Sequence, residues 1–178
     1  MGWFTTTSDY GSLVIGQYNS AGSSVSTNGS ATAFDTDNTA FVIGNGTGFA
    51  SKSDAFKVMF NGDVTTGGTV KATRFELTAA TEINSSSNTT LDLSSGNVLT
   101  VSLVTSIEVL TITNAVVGTY LIKFVQDGTG QKTVDFSSTN WKWSGGTAPY
   151  VTNTANRTDI VTLIYDGENY YAAISQNF

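Results

Sequence analysis

Apolar residues in this chain come in short runs that alternate with polar ones at a period of two, and no segment carries the 3.6-residue period of a helix. The pattern is clearest in residues 118–150. Tyr120, Ile122 and Phe124 fall on one side of an extended segment, and Leu121, Lys123 and Val125 on the other, which predicts a strand over 119–125. Asp127-Gly128 reads as a hairpin turn, with glycine taking the positive φ that tight turns demand. A shorter strand over 132–136 is expected to return antiparallel. A glycine-rich corner follows, carrying Trp141, Trp143 and the only proline, Pro149.

Four more strands are expected in this half, over 99–104, 107–113, 160–165 and 170–175. The last two flank Tyr165-Asp166-Gly167-Glu168-Asn169, a second hairpin signal. Two of the strands break clean alternation. In 107–112 the parity shifts, with Ile107 and Val109 on one face but Leu110 and Ile112 on the other. The strand 160–165 is apolar on both faces. A strand solvated on one side alternates cleanly, so these two imply either a bulge or a second buried surface such as a subunit interface. Short strands at regular spacing read as a β-sandwich or jelly roll.

The first half is turn-rich. Leu13-Val14-Ile15-Gly16-Gln17 and Phe41-Val42-Ile43-Gly44-Asn45 nearly repeat, and each pairs a short strand with a glycine corner and a polar loop. That is the shape of one coil of a β-wound structure, although a solenoid ordinarily needs three copies or more. Three apolar residues cannot bury themselves; they must stack on a neighbouring coil or on another chain. Residues 55–60 form a strand, Asn61-Gly62 is a strong hairpin signal, Val64 opens the return, and a last strand is expected over 69–75. Residues 78–97 are polar, with weak alternation at Leu91 and Leu93, and are assigned as a connector. The expected organisation is a β-wound segment over 1–77, the connector over 78–97 and a β-sandwich over 98–178.

Composition narrows the classes. Of 178 residues 39% are apolar, enough for a core, but only 12% are charged, against roughly 25% in an average globular protein. The net charge of −6 and eight scattered basic residues argue against nucleic acid and against an anionic membrane surface. No apolar run nears the ~20 residues that span a bilayer. The start Met1-Gly2-Trp3-Phe4 lacks the regions of a signal peptide, and its Met-Gly reads as a cloning start rather than a myristoylation site. With neither cysteine nor histidine, thiolate chemistry and the usual general base are both missing.

GNGTG…SDAFKVMFNGDV…GGTVKATRF, within residues 10–77, resembles the trimeric β-rich shaft and head segments of phage tail fibres and related bacterial surface proteins. QDGTGQKTVDF…W.W.GGTAPYVTNTANRTDIVTLIYDGENYYA, within 98–178, is similar to a C-terminal β-sandwich of phage tail-fibre and spike proteins. The resemblance implies an all-β homotrimer on the virion surface, in contact with other virion proteins, that binds a host cell-surface glycan or protein without catalysis. Fibres with such a shaft often end in a self-cleaving chaperone domain. This chain stops at Phe178 without one, so trimer assembly is expected to rely on these residues. The rival readings are a polysaccharide-degrading tailspike and a bacterial trimeric adhesin.

No cofactor or metal site is expected. Asp35-Thr36-Asp37-Asn38 has alternating oxygens but lacks the glycine and distal glutamate of a calcium loop. Asp159, Asp166 and Glu168 are candidates for the carboxylate pair of glycoside hydrolysis, but the last two already have a turn role. For recognition, a sugar needs flat aromatic faces with polar groups beside them. Trp141 and Trp143 either supply these or pack as core beneath Gly145-Gly146, as large aromatics mostly do. Trp141 is the better surface candidate of the two, because Trp143 belongs to the WSGGTAP string that carries the resemblance. Tyr150 and Tyr170 are weaker candidates.

Overall fold

The computed structural model describes residues 2–77 and 79–178. Met1 of the Met-Gly start and Thr78, where the connector was expected to begin, lie outside them. The chain divides into two compact units between Arg74 and Phe75. It is all-β, with no α-helix among the described residues.

In the first unit β1 (Leu13–Gln17), β2 (Thr39–Asn45), β3 (Asp54–Met59) and β4 (Val64–Thr66) form one sheet in that order. β1 lies parallel on β2, with Leu13 opposite Phe41 and Gln17 opposite Asn45, so the two near-repeats stack residue on residue. Trp3 bridges Gln17 in the same parallel sense and begins a third layer. The glycine corner is required by this stacking. Gly16 has φ +87°, and a Cβ there would meet the Gly44 carbonyl oxygen at 2.1 Å. Beyond β4 the expected strand over 69–75 is not among the strands, and every residue from Gly67 to Leu77 is exposed.

This unit has little apolar core: among its described residues only Val14 and Val42 are buried hydrophobics. Its loops are held instead by buried polar side chains. Asp9 accepts from the backbone N–H of Ser26 (2.7 Å) and Thr39 (2.7 Å) and from the Ser26 hydroxyl (2.6 Å). Burial pushes its carboxyl up, but those bonds outweigh burial and hold it below the ordinary value of 3.8. The amides of Asn19 and Asn38 tie down Thr6 and Ser30 in the same way.

The second unit contains β5 (Ile83–Asn84), β6 (Asn88–Asp92), a 3-10 turn (Leu93–Ser95), β7 (Val98–Leu103), β8 (Val109–Thr113), β9 (Gly118–Gln126), β10 (Trp141–Trp143), β11 (Thr158–Tyr165) and β12 (Tyr170–Ser175). One sheet has the order β10-β12-β11-β9-β7-β5, and the other is the pair β6-β8. From β5 to β9 the chain alternates between the two. β5, β7 and β9 pair in parallel, as do β6 and β8. Parallel neighbours need a crossover, and each strand of the small sheet belongs to one. β9, β11 and β12 then pair antiparallel. Inward residues of both sheets share one core, with Leu91 and Leu110 from the small sheet and Leu99, Val101, Tyr120, Ile122, Phe124, Val161 and Leu163 from the large one. The period-two pattern over 119–125 marks Tyr120, Ile122 and Phe124 among these positions.

Three expectations change. The stretch assigned as connector carries β5 and β6 and belongs to the second unit. Leu91 and Leu93 are buried because their short segment stacks on the strands that follow. The hairpin over 119–136 does not form, since both edges of β9 are taken, one by β7 and the other by β11. The left-handed residues are Gly130 and Gln131, not Gly128. They swing the chain away, and Val134 bridges Ile107 in parallel. The buried Gln126 amide fixes this path by donating to the carbonyls of Lys132 (2.7 Å) and Thr152 (2.8 Å). The parity shift near Ile107 is a bulge: the backbone N–H groups of Glu108 and Val109 both donate to the Ser87 carbonyl, which turns Ile107 and Leu110 to the same core.

Candidate functional site

β10 pairs parallel with β12, setting Trp141 beside Tyr170 and Trp143 beside Ala172. Three of the four candidate residues therefore meet in one aromatic stack. The indoles of Trp141 and Trp143 lie face to face with centroids 5.3 Å apart, and Phe136 packs edge-on against both. Tyr170 leans on Trp141 at 6.2 Å and stacks on Tyr165 at 4.6 Å. Burial, with the Tyr165 and Tyr120 phenols nearby, pushes the Tyr170 phenol up, so it stays neutral.

The ranking of the tryptophans reverses. Trp141 is 9% exposed and belongs to the core, whereas Trp143 is half-buried. The reason is register. Trp141 and Trp143 are two apart on a strand and face the same side, and that side is the core. Phe136 packs against both indoles, at 5.6 Å from Trp141 and 4.8 Å from Trp143, but Trp141 is also covered by Tyr170, and Trp143 keeps part of its surface. Neither indole N–H has a hydrogen-bond partner among the described residues, an arrangement that costs about 1–3 kcal/mol per buried donor.

Tyr150 stands apart from this stack. It is 89% exposed, and its backbone carbonyl is held by the Gln176 amide at 2.6 Å. Beside it lies a cleft of about 430 Å3, lined on its apolar side by Ala148 and Pro149 and by the chain at Val134 and Phe136, whose side chains are buried. Thr133, Asp135 and Ser137 supply its polar groups. Asp135 Oδ1 accepts the Ser137 backbone N–H at 2.7 Å. That bond and the Ser137 hydroxyl hold its carboxyl below the ordinary range. An apolar wall, an ionised carboxylate, hydroxyls and an open phenol ring are the groups a pyranose needs. Sequence reasoning named Tyr150 as a weaker candidate and did not single out Asp135 or Ser137. Their signal was the alternation over 132–136, which leaves Asp135 on the face opposite Val134 and Phe136.

A second groove, of about 460 Å3, runs along the outer face of β10, β12 and β11 past Lys142, Trp143, Ile164 and Tyr171. The two-sided apolarity of 160–165 foreshadowed it.

Two of the three carboxylates considered for hydrolysis already have structural partners. Asp159 is 2% exposed and accepts the backbone N–H groups of Thr152 and Asn177. Asp166 caps its own hairpin through the N–H groups of Glu168 and Asn169. The seven residue steps from Asp159 to Asp166 span roughly 23 Å, beyond the separations of about 5–9.5 Å that glycoside hydrolysis uses. Asn38 of the acidic loop has its amide buried among backbone partners, and Asp35 caps Asp37.

Residues 64–170, more than half of the chain, match the family model described as "Putative phage tail fibre C-terminal domain". No curated protein and no solved structure matches the chain.

Proposed function

Because the chain belongs to the phage tail-fibre C-terminal domain family, and so to a virion component, we propose that it is a homotrimeric spike or fibre tip on the virion surface that recognises the host cell by binding alone. The single observation that carries recognition is the cleft at Tyr150, where an exposed aromatic ring stands beside an ionised carboxylate and two hydroxyl side chains. The ligand is a host cell-surface glycan, with the Tyr150 ring under a sugar face and Asp135 accepting from its hydroxyls. A host surface protein is the competing ligand, and the same variants with purified receptors separate the two. Other virion proteins are the remaining partners.

Self-association is supported by the first unit. It buries two apolar side chains while Trp3, Phe4, Leu13, Phe34, Phe49 and Val64 each keep more than half of their surface exposed. Faces of that size on a thin sheet call for a covering chain.

The test is Tyr150→Ala and Asp135→Asn, each assayed for attachment to host cells. Both side chains are exposed, so circular dichroism should be unchanged while attachment falls at least tenfold. Normal attachment by both folded variants would show that recognition lies elsewhere.

A further inference from the structure

The outer face of the six-stranded sheet departs from what a solvated face should carry. Outward positions of β9, β11 and β12 include Leu121, Val125, Ile160, Ile164 and Tyr171. Strand pairing draws them together: Ile164 lies opposite Tyr171, Thr162 lies opposite both Ala173 and Leu121, and Lys142 lies opposite Tyr171. Ile164 is 50% exposed and Tyr171 46%. The groove beside Trp143 runs through this patch.

Its charges are as selective as its apolar residues. The chain has 14 acidic and 8 basic residues. Yet the outward positions of β7, β9, β10, β11 and β12 contain no carboxylate, and their only charged residues are Lys123 and Lys142. Neither lysine forms an ion pair among the described residues. The nearest carboxylates are at the margins. Glu82 is engaged by the Ser102 hydroxyl at the β5 edge, and Asp166 and Glu168 form the tip of the β11–β12 hairpin.

We infer that this face is the surface on which a second copy of the chain docks, resting on the self-association proposed above. The occupant follows from charge. An apolar face bearing only cations complements an acidic surface, and the rest of this chain is acidic. Two such faces cannot pack against each other without setting lysines among lysines, so the contact is heterologous: this face meets a different, acidic surface of the neighbour. A heterologous contact that closes generates a ring, as a trimer requires.

The experiment measures the mass of the full chain by light scattering across a micromolar dilution series, with β content followed by circular dichroism. Wild type should give about three times 18.7 kDa. Ile164→Glu should give the single-chain mass with its β signal kept, because the position is half exposed. Lys142→Glu should raise the dissociation midpoint at least tenfold, and the salt sensitivity of the wild-type assembly should disappear with it. Thr90→Glu, on an exposed position of β6, should behave as wild type. A wild-type monomer overturns both this face and the self-association it rests on. A wild-type trimer that neither variant weakens overturns the face alone. If Ile164→Glu unfolds, Lys142→Glu at its exposed position decides. Variants that remain trimeric but no longer attach to host cells would make the face a receptor site instead, which also overturns the inference.

Discussion

Single residues hold the turns of this protein, and Asp127 shows how. Its carboxylate accepts the Thr129 hydroxyl (2.6 Å), the Thr129 N–H (2.9 Å) and the Gly130 N–H (2.8 Å), with Lys132 3.6 Å away. The Thr129 hydroxyl contributes most, and together these groups lower the carboxyl from 3.8 to about 2. A depressed folded value means stability that is complete above the unfolded value and lost as pH falls through the folded one. The melting temperature should therefore decline between pH 4 and pH 2 as Asp127 is protonated. Asp127→Asn should be less stable at pH 7 and should flatten that decline; an unaltered acid limb would show that the turn does not depend on this charge. The buried Asp9 and Asn19 play comparable parts in the first unit. Their sequence neighbours gave no sign of it, since both read there as ordinary loop residues.

At the level of elements, the second unit owes its layers to winding. β6 alone is a five-residue strand of mostly polar composition, and the polar stretch containing it looked like a connector. Stacked parallel on β8, it delivers Leu91 to the core with no exposed surface. Leu91→Ala should accordingly destabilise the second unit by about 2–5 kcal/mol in urea denaturation, the range for a buried leucine. A change below about 0.5 kcal/mol, typical of surface positions, would return the segment to a linker. The bulge at Glu108 and Val109 works at the same scale. It lets one strand serve the core on both sides of a parity shift.

Across the whole molecule the two units differ in how they are held. The second has a contiguous core drawn from both of its sheets, while the first relies on two valines and a network of buried amides and one carboxylate. Residues 75–178 expressed alone should unfold cooperatively with a β spectrum. Residues 1–74 alone should not, because their exposed Trp3, Phe34 and Phe49 have too little core behind them. A cooperative monomeric transition from the N-terminal piece would remove the main support for self-association. In the full chain the same contrast predicts that dilution destabilises the first unit before the second.

The sequence by itself determined the all-β class and the strands whose faces alternate, and it offered the near-repeats as coils that stack on a neighbour or on another chain. These follow from side-chain period and from glycine corners, which are local properties. It also flagged the two strands that were apolar on both sides, without saying that one held a bulge and the other an open outer face. Only the tertiary structure decided which strands pair. The 127–128 turn could not close a hairpin once β7 and β11 had taken both edges of β9, and those partners lie 20 or more residues away in the chain. The same long-range pairing sent Trp141 to the core, left Tyr150 in the open, and brought Asp135 to its side. Recognition chemistry depends on which rings stay exposed, and exposure is set by neighbours distant in sequence.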